Sequence, residues 1–285
     1  MRISQTGKRA AVLGILVFLC TLILSACGQD QDGYVPAGEE REGEEEENTI
    51  TGKIIEVHDT SLLMLREEDA NGGLMDTGVD GVKIYDQNKQ EIKADALKPG
   101  MRIRLSLQED STIMECYPLG ITGVQEICIL EQENDHVGLY LDIIKGIYGN
   151  DTGLNDNMRI MALDLTQVKN LSDSEKEAVR YLLGPLLENW QKDSIGSPGS
   201  VKYPNPEVIL ATQEDLKEQG LLSEDGSYFT EGILIKIRTV KERKNSFTFS
   251  AEKWRSGLGA NGYDNCKASF KDGVGTYELN FTWIS

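Results

Sequence analysis

Met101-Arg102-Ile103-Arg104-Leu105-Ser106-Leu107 alternates apolar and polar side chains without a break. Successive side chains on a strand point to opposite faces, so this period of two predicts a half-buried β-strand. Segments of the same texture lie on either side of it. Upstream they centre on Ile50, Ile54 and Val57, on Leu62 to Leu65, and on Val82, Ile84 and Tyr85; downstream they run from Thr112 to Tyr117 and from Gly123 to Leu130. Turn residues separate them at Asn71-Gly72-Gly73, Asp86-Gln87-Asn88-Lys89, Pro99-Gly100 and Gln108-Glu109-Asp110-Ser111. Six short strands over residues 49–133 predict a small antiparallel β-barrel.

From residue 134 the texture changes. Val137, Tyr140, Leu141, Ile144 and Tyr148 recur at helical spacing, with Gly149 placed to end the helix. Met158 to Leu165 reads as a strand. Ser172-Asp173-Ser174-Glu175 is a capping box opening a helix that carries Val179, Leu182, Leu183, Leu186 and Trp190 on one face, with a kink expected at Gly184-Pro185. Ile195 to Pro206 reads as a loop, and Thr212 caps a short helix that ends at Gly220. Alternation around Ile233, Ile235 and Ile237, Phe247 and Phe249, Cys266, Ala268 and Phe270, and Tyr277, Leu279, Phe281 and Trp283 predicts an antiparallel meander, with a hairpin turn at Lys271-Asp272-Gly273. The expected whole is a barrel followed by an α+β domain over residues 134–285, with a helix laid across a curved sheet in an NTF2-like or cystatin-like manner.

Gly52-Lys53-Ile54-Ile55-Glu56-Val57 and Leu97-Lys98-Pro99-Gly100-Met101-Arg102-Ile103 resemble the OB-like domain of small bacterial lipoproteins of unknown function. These motifs encode turn geometry rather than chemistry. An OB barrel that binds nucleic acid presents stacking aromatics and a basic groove. Residues 49–133 hold only Tyr85 and Tyr117 as aromatics, and 8 bases against 16 acids.

The N-terminus reads as an address. Arg2, Lys8 and Arg9 precede a charge-free run from Ala10 to Leu24, which as a helix spans about 22 Å and falls short of a bilayer core of about 30 Å. It ends in Leu24-Ser25-Ala26-Cys27, which resembles the lipobox of bacterial prolipoproteins. The resemblance implies removal of residues 1–26, diacylglycerol on the Cys27 thiol, and lipid anchoring on the extracytoplasmic face of the cell membrane. Two or three acyl chains make such an anchor durable. Residue +2 is Gly28 rather than Asp, which leaves sorting in a double-membrane cell open; the outer leaflet of a Gram-positive membrane is the favoured location. Residues 27–48 then form a tether: nine acids, a single base (Arg41) and almost nothing apolar give no core to offset ordering entropy.

The whole chain has 285 residues and a net charge of −18. Loss of residues 1–26 strips three bases and no acid, leaving −21, of which the tether and the barrel each carry −8 and residues 134–285 carry −5. This balance argues against nucleic acid as a partner.

The chain offers little for metal or nucleophile chemistry. His58 and His136 are its only histidines, one in each domain, and no Cys or His pair has ligand spacing, so neither metal nor cofactor is expected. Asn150, Asp151, Asn155, Asp156 and Asn157 form an oxygen-rich loop that lacks EF-hand spacing and reads as a turn rather than a calcium site. Ser250-Ala251-Glu252-Lys253 matches an S-x-x-K pattern but sits in a predicted strand without a K-T-G partner. With Cys20 cleaved and Cys27 acylated, Cys116, Cys128 and Cys266 remain, and a bridge between Cys116 and Cys128 is conceivable.

Lys236 to Lys271 carries nine bases and only three acids, Glu242, Glu252 and Asp264. Within it, Trp254 to Cys266 includes three glycines, Gly257, Gly259 and Gly262, and, with Tyr277 and Trp283, resembles the C-terminal domain of uncharacterised Gram-positive lipoproteins. The glycines predict a loop between two strands. Lys253, Trp254, Arg255, Tyr263 and Trp283 are the candidate binding residues, for an anionic or sugar-like wall component. The alternative is that the glycines only shape a connection. For the whole chain a non-catalytic binding or envelope-associated module is favoured, against an enzyme with its site in an NTF2-like cup or a structural spacer.

Overall fold

A computed structural model describes residues 48–67, 73–193 and 206–285. The expected signal peptide, Cys27, nearly all of the tether, Asn71-Gly72 and most of the 195–206 loop lie outside these residues. Described first are β1 (Thr49–Val57), β2 (Ser61–Arg66), β3 (Leu74–Gly78), β4 (Lys83–Tyr85), β5 (Glu91–Ile92), β6 (Met101–Met114) and β7 (Leu119–Gln132). Their order is β3-β2-β1-β6-β7-β4-β5, and a further pairing of β3 with β7 closes five of them into a barrel. Ile54, Leu62, Met64, Met75, Ile103, Leu105 and Ile127 fill its interior. Each such burial contributes about 1.5–3 kcal/mol.

Two details depart from the sequence expectation. The closure β3–β7 and the pairing β4–β7 are parallel, so the barrel is not wholly antiparallel. Residues 108–111 are not a turn between strands, because β6 continues through them while its register against β7 slips between Leu107 and Thr112. Bulged residues leave the ladder and bend the strand, which local turn composition cannot distinguish from a reversal.

The second half contains α1 (His136–Gly149), β8 (Ile160–Gln167), α2 (Asp173–Asp193), β9 (Glu207–Leu210), α3 (Gln213–Glu218), β10 (Gly232–Arg243), β11 (Ser246–Ser256), β12 (Gly259–Lys271), β13 (Val274–Glu278) and β14 (Phe281–Ile284). The sheet runs β13-β12-β11-β10-β8-β9, with β14 also on β12. The expected meander is present in β10 to β13, but β8 and β9 extend it in parallel, making the sheet mixed. The parallel neighbours need a long crossover, which the stretch containing α2 supplies between β8 and β9. The last predicted strand divides at Leu279-Asn280, its halves pairing with successive stretches of β12.

Side-chain caps hold the helix starts. Asp135 accepts the Gly138 amide at 2.9 Å, and the Ser172–Glu175 box forms in both directions, at 2.8 and 3.2 Å. Thr212 and Asp215 repeat that box at α3. α2 remains one helix across Gly184-Pro185.

The barrel wall is apolar on both sides where the helices meet it. Leu62 and Met64 face the barrel interior, while Leu63 and Leu65, with Ile55 and Leu74, join the core built from α1, α2 and the second sheet. The described residues accordingly belong to one compact unit. Glu133, just before α1, fixes the junction: a Cβ on Gly100 or Gly273 would come within 2.7 or 2.8 Å of its carbonyl oxygen. Both glycines also have positive φ, +83° and +80°, a conformation that side chains disfavour. The whole is a mixed α+β fold, mostly β, with a closed five-strand barrel and a second, curled sheet.

Candidate functional site

Strand alternation divides the residues that sequence places together. Tyr263 belongs to the core beneath α1, whereas Trp254 packs with Ala162, Leu234 and Ala260 on the opposite side of the sheet, where half-buried Trp283 joins it. Lys253 is fully buried and Arg255, Trp254 and Tyr263 are nearly so. The glycine-rich stretch is mostly strand: β11 ends at Ser256 and β12 starts at Gly259. Gly262 sits under Trp283, where a Cβ would lie 2.6 Å from the indole and 2.8 Å from the Ala251 carbonyl oxygen.

Lys253 explains the oxygen-rich loop. Asp151 and Asn157 adopt positive φ, which Asx residues tolerate, and between them a 3-10 turn, Thr152–Asn155, curls the chain over the sheet. The Lys253 ammonium donates to the carbonyls of Tyr148 at 3.0 Å, Asn150, and Asp151 at 3.0 Å, and to Asn155 Oδ1 at 3.1 Å. Arg255 closes the other side of the loop, donating to the carbonyls of Leu154 at 2.8 Å, Asp156, and Thr230 at 3.3 Å. Oxygens that resemble a cation cage therefore surround a side-chain cation. Burial pulls the Lys253 ammonium down to about 8, with nearby Asp151 opposing the shift.

The same geometry disposes of the S-x-x-K match, because Ser250 and Lys253, three apart on a strand, lie on opposite faces. Among the described residues no group of three or more His, Cys, Asp or Glu side chains is placed to hold a metal. Cys116, Cys128 and Cys266 are free thiols, so the conceivable Cys116–Cys128 bridge is not formed; Cys266 is buried, and burial raises its pKa.

Open surface chemistry lies elsewhere on the same sheet. Pairing aligns Lys241, Thr248, Lys267 and Glu278 in one row across β10 to β13, and Arg243, Ser246, Ser269 and Thr276 in the next. These side chains line a hollow of about 460 Å³ on the outer face. Lys241, Arg243 and Lys267 are exposed and make no side-chain hydrogen bond or ion pair among the described residues. Lys236 and Arg238, farther along β10, are by contrast matched by Glu252 at 3.6 Å and Asp264 at 3.9 Å. The signal for this face was present in Ser246-Phe247-Thr248-Phe249-Ser250, whose hydroxyls occupy every position that the apolar alternation leaves outward.

Along the sheet edge, His136, Asn170, Glu242, Arg243, Phe247 and Phe270 border a hollow of about 390 Å³. The His136 ring meets Phe270 edge to face at 4.6 Å, and burial lowers its pKa against the opposing charge of Glu175.

No family model and no curated protein matches the chain. Among solved structures, a Leishmania major Friedlin chain assigned as an aspartyl-tRNA synthetase aligns at 11% identity and a TM-score of 0.23 over 72% of this chain. This chain spans 44% of that one, and a likeness of this size carries no argument.

Proposed function

We propose that the protein is a lipid-anchored extracytoplasmic lipoprotein of the cell membrane, whose folded body is a non-catalytic binding or envelope-associated module. The observation that carries this reading is Leu24-Ser25-Ala26-Cys27 at the end of a charge-free run with a basic flank. Acylated Cys27 engages membrane lipid, and the acidic residues 28–48 space the body from the surface. The barrel is of the OB-like type, and the second half follows an NTF2-like or cystatin-like plan; the closed five-strand barrel and the curled sheet support those finer readings. The partner is an anionic or sugar-like wall component. Replacing Cys27 by Ser is expected to release the protein from membrane fractions and abolish labelling by fatty acid; continued labelling refutes the assignment.

A second reading, an enzyme with its site in the cup of the second half, draws on the hollow that brings His136 and Glu242 together. An imidazole and a carboxylate lining one cavity are the components of general acid/base work. Turnover abolished by His136→Gln would favour it.

A further inference from the structure

The two rows on the outer face of β10 to β13 have a chemistry that selects a ligand. Lys241 and Arg243 are two residues apart on one strand, about 7 Å, and Lys267 lies two strands across from Lys241, about 10 Å. Three unpaired cations whose strand positions spread over such a span can meet two or more successive anions at once. The other positions of the two rows carry hydroxyls, those of Ser246, Thr248, Ser269 and Thr276, which donate to and accept from other hydroxyls, and one carboxylate, Glu278, at the β13 end beside Lys267.

Ring stacking is not available here. Phe247 and Tyr277 border the hollow, but Phe247 stacks on Tyr140 of α1 at 5.7 Å and Tyr277 donates to the Asp142 carbonyl at 3.2 Å. Single-stranded nucleic acid and aromatic-stacked neutral sugars both need a free ring face. The floor is strand backbone, and a second hollow of about 670 Å³ lies along β10 on the same face, bordered by Arg238, Ser250 and Asp264. A trough with consecutive hollows fits an extended chain better than a compact small molecule.

We infer that this face binds a phosphodiester polymer whose phosphates are separated by hydroxyl-bearing units, with Lys241, Arg243 and Lys267 taking successive phosphates and the Ser and Thr hydroxyls taking the spacers. This rests on the reading of the body as a binding module and deepens it by naming the site and the ligand class. Because the protein as a whole is acidic, with a net charge of −18, attraction is confined to this patch, and binding weakens steeply with salt.

The test is calorimetric titration of the full chain in detergent with synthetic poly(glycerol phosphate). The triple variant Lys241→Gln, Arg243→Gln, Lys267→Gln is compared with Lys83→Gln, Lys89→Gln, Lys93→Gln, which removes equal charge from exposed barrel positions. The groove variant is expected to bind about tenfold or more weakly and with a shallower salt dependence, while the barrel variant binds as the parent does. Equal loss in both variants, no binding by the parent, or equal affinity for phosphatidylglycerol vesicles, oligothymidylate or uncharged dextran overturns the inference. Anchoring through Cys27 is a separate readout: a parent protein that is released from membranes by Cys27→Ser yet ignores the polymer overturns the ligand assignment alone.

Discussion

Lys53 Nζ lies 2.5 Å from Glu175 Oε1, so the barrel strand β1 is ion-paired to the first turn of α2. The other oxygen of the same carboxylate accepts the Ser172 amide at 2.8 Å, so one side chain caps the helix and fastens it to the barrel. Glu133 stands 3.5 Å from the same ammonium. Lys53→Met removes the charge while keeping the stem, and leaves Glu175 ionised at a poorly hydrated junction. The expected loss is about 2–4 kcal/mol in urea unfolding; a loss no larger than for an exposed lysine such as Lys98 would show the pair to be incidental.

The same pair sets a pH window. Burial disfavours the Glu175 charge, but the attraction and hydrogen bond of Lys53 outweigh it and hold the carboxyl below its usual 4.5. Its contribution is fully present above 4.5 and fades as pH falls through the native value. Lys53 is displaced upward despite its burial, so its contribution is complete below 10.5 and fades as pH rises through the native value. Unfolding free energies of the parent and Lys53→Met are expected to converge as acid protonates Glu175; a gap that does not narrow at any pH below 4.5 would contradict this assignment.

Lys253→Met should be more damaging than its conservative shape suggests. It strands carbonyls of the 148–155 segment that the ammonium satisfies, at about 1–3 kcal/mol for each buried acceptor. A loss of about 3 kcal/mol or more is expected at neutral pH. The native value of about 8, against 10.5 in the unfolded chain, means that the unfolded chain holds this proton more tightly between those limits. Stability of the parent relative to Lys253→Met therefore rises from about pH 8 towards 10.5, and a flat difference across that range would contradict the depressed value.

Gly262→Ala tests the close approach of β12 to Trp283. The new methyl meets both the indole and the Ala251 carbonyl, and only the ring has freedom to move. The expected cost is about 1–3 kcal/mol, with a change in tryptophan fluorescence. Thermal denaturation indistinguishable from the parent would mean that β14 shifts freely.

What was legible from sequence follows from the range of each interaction. The capping box at Ser172 and the Thr212 cap are contained within four residues and formed as read, the latter with Asp215 completing a second box. Leu62 to Leu65, an unbroken apolar run, belongs to a strand covered on both faces. The parallel neighbours of β10 were not legible, because β8 and β9 join it only through distant pairing. Nor was the fate of residues 253–255: composition put a lysine, a tryptophan and an arginine side by side, whereas strand geometry sends Trp254 to one side of the sheet and Lys253 to the other. The oxygen-rich loop was correctly read as a turn, but the cation that fills it comes from far along the chain.

The position of β1 has a mechanical consequence. It is the first described strand, and it is paired on one side with β2 and on the other with β6. A pull on the chain just ahead of Thr49 cannot peel it from an edge one bond at a time. Both ladders must slide together, and the Lys53 link to α2 must yield with them. Tension entering from the N-terminal side is thereby met by strands loaded lengthwise, the arrangement in which many hydrogen bonds share the force.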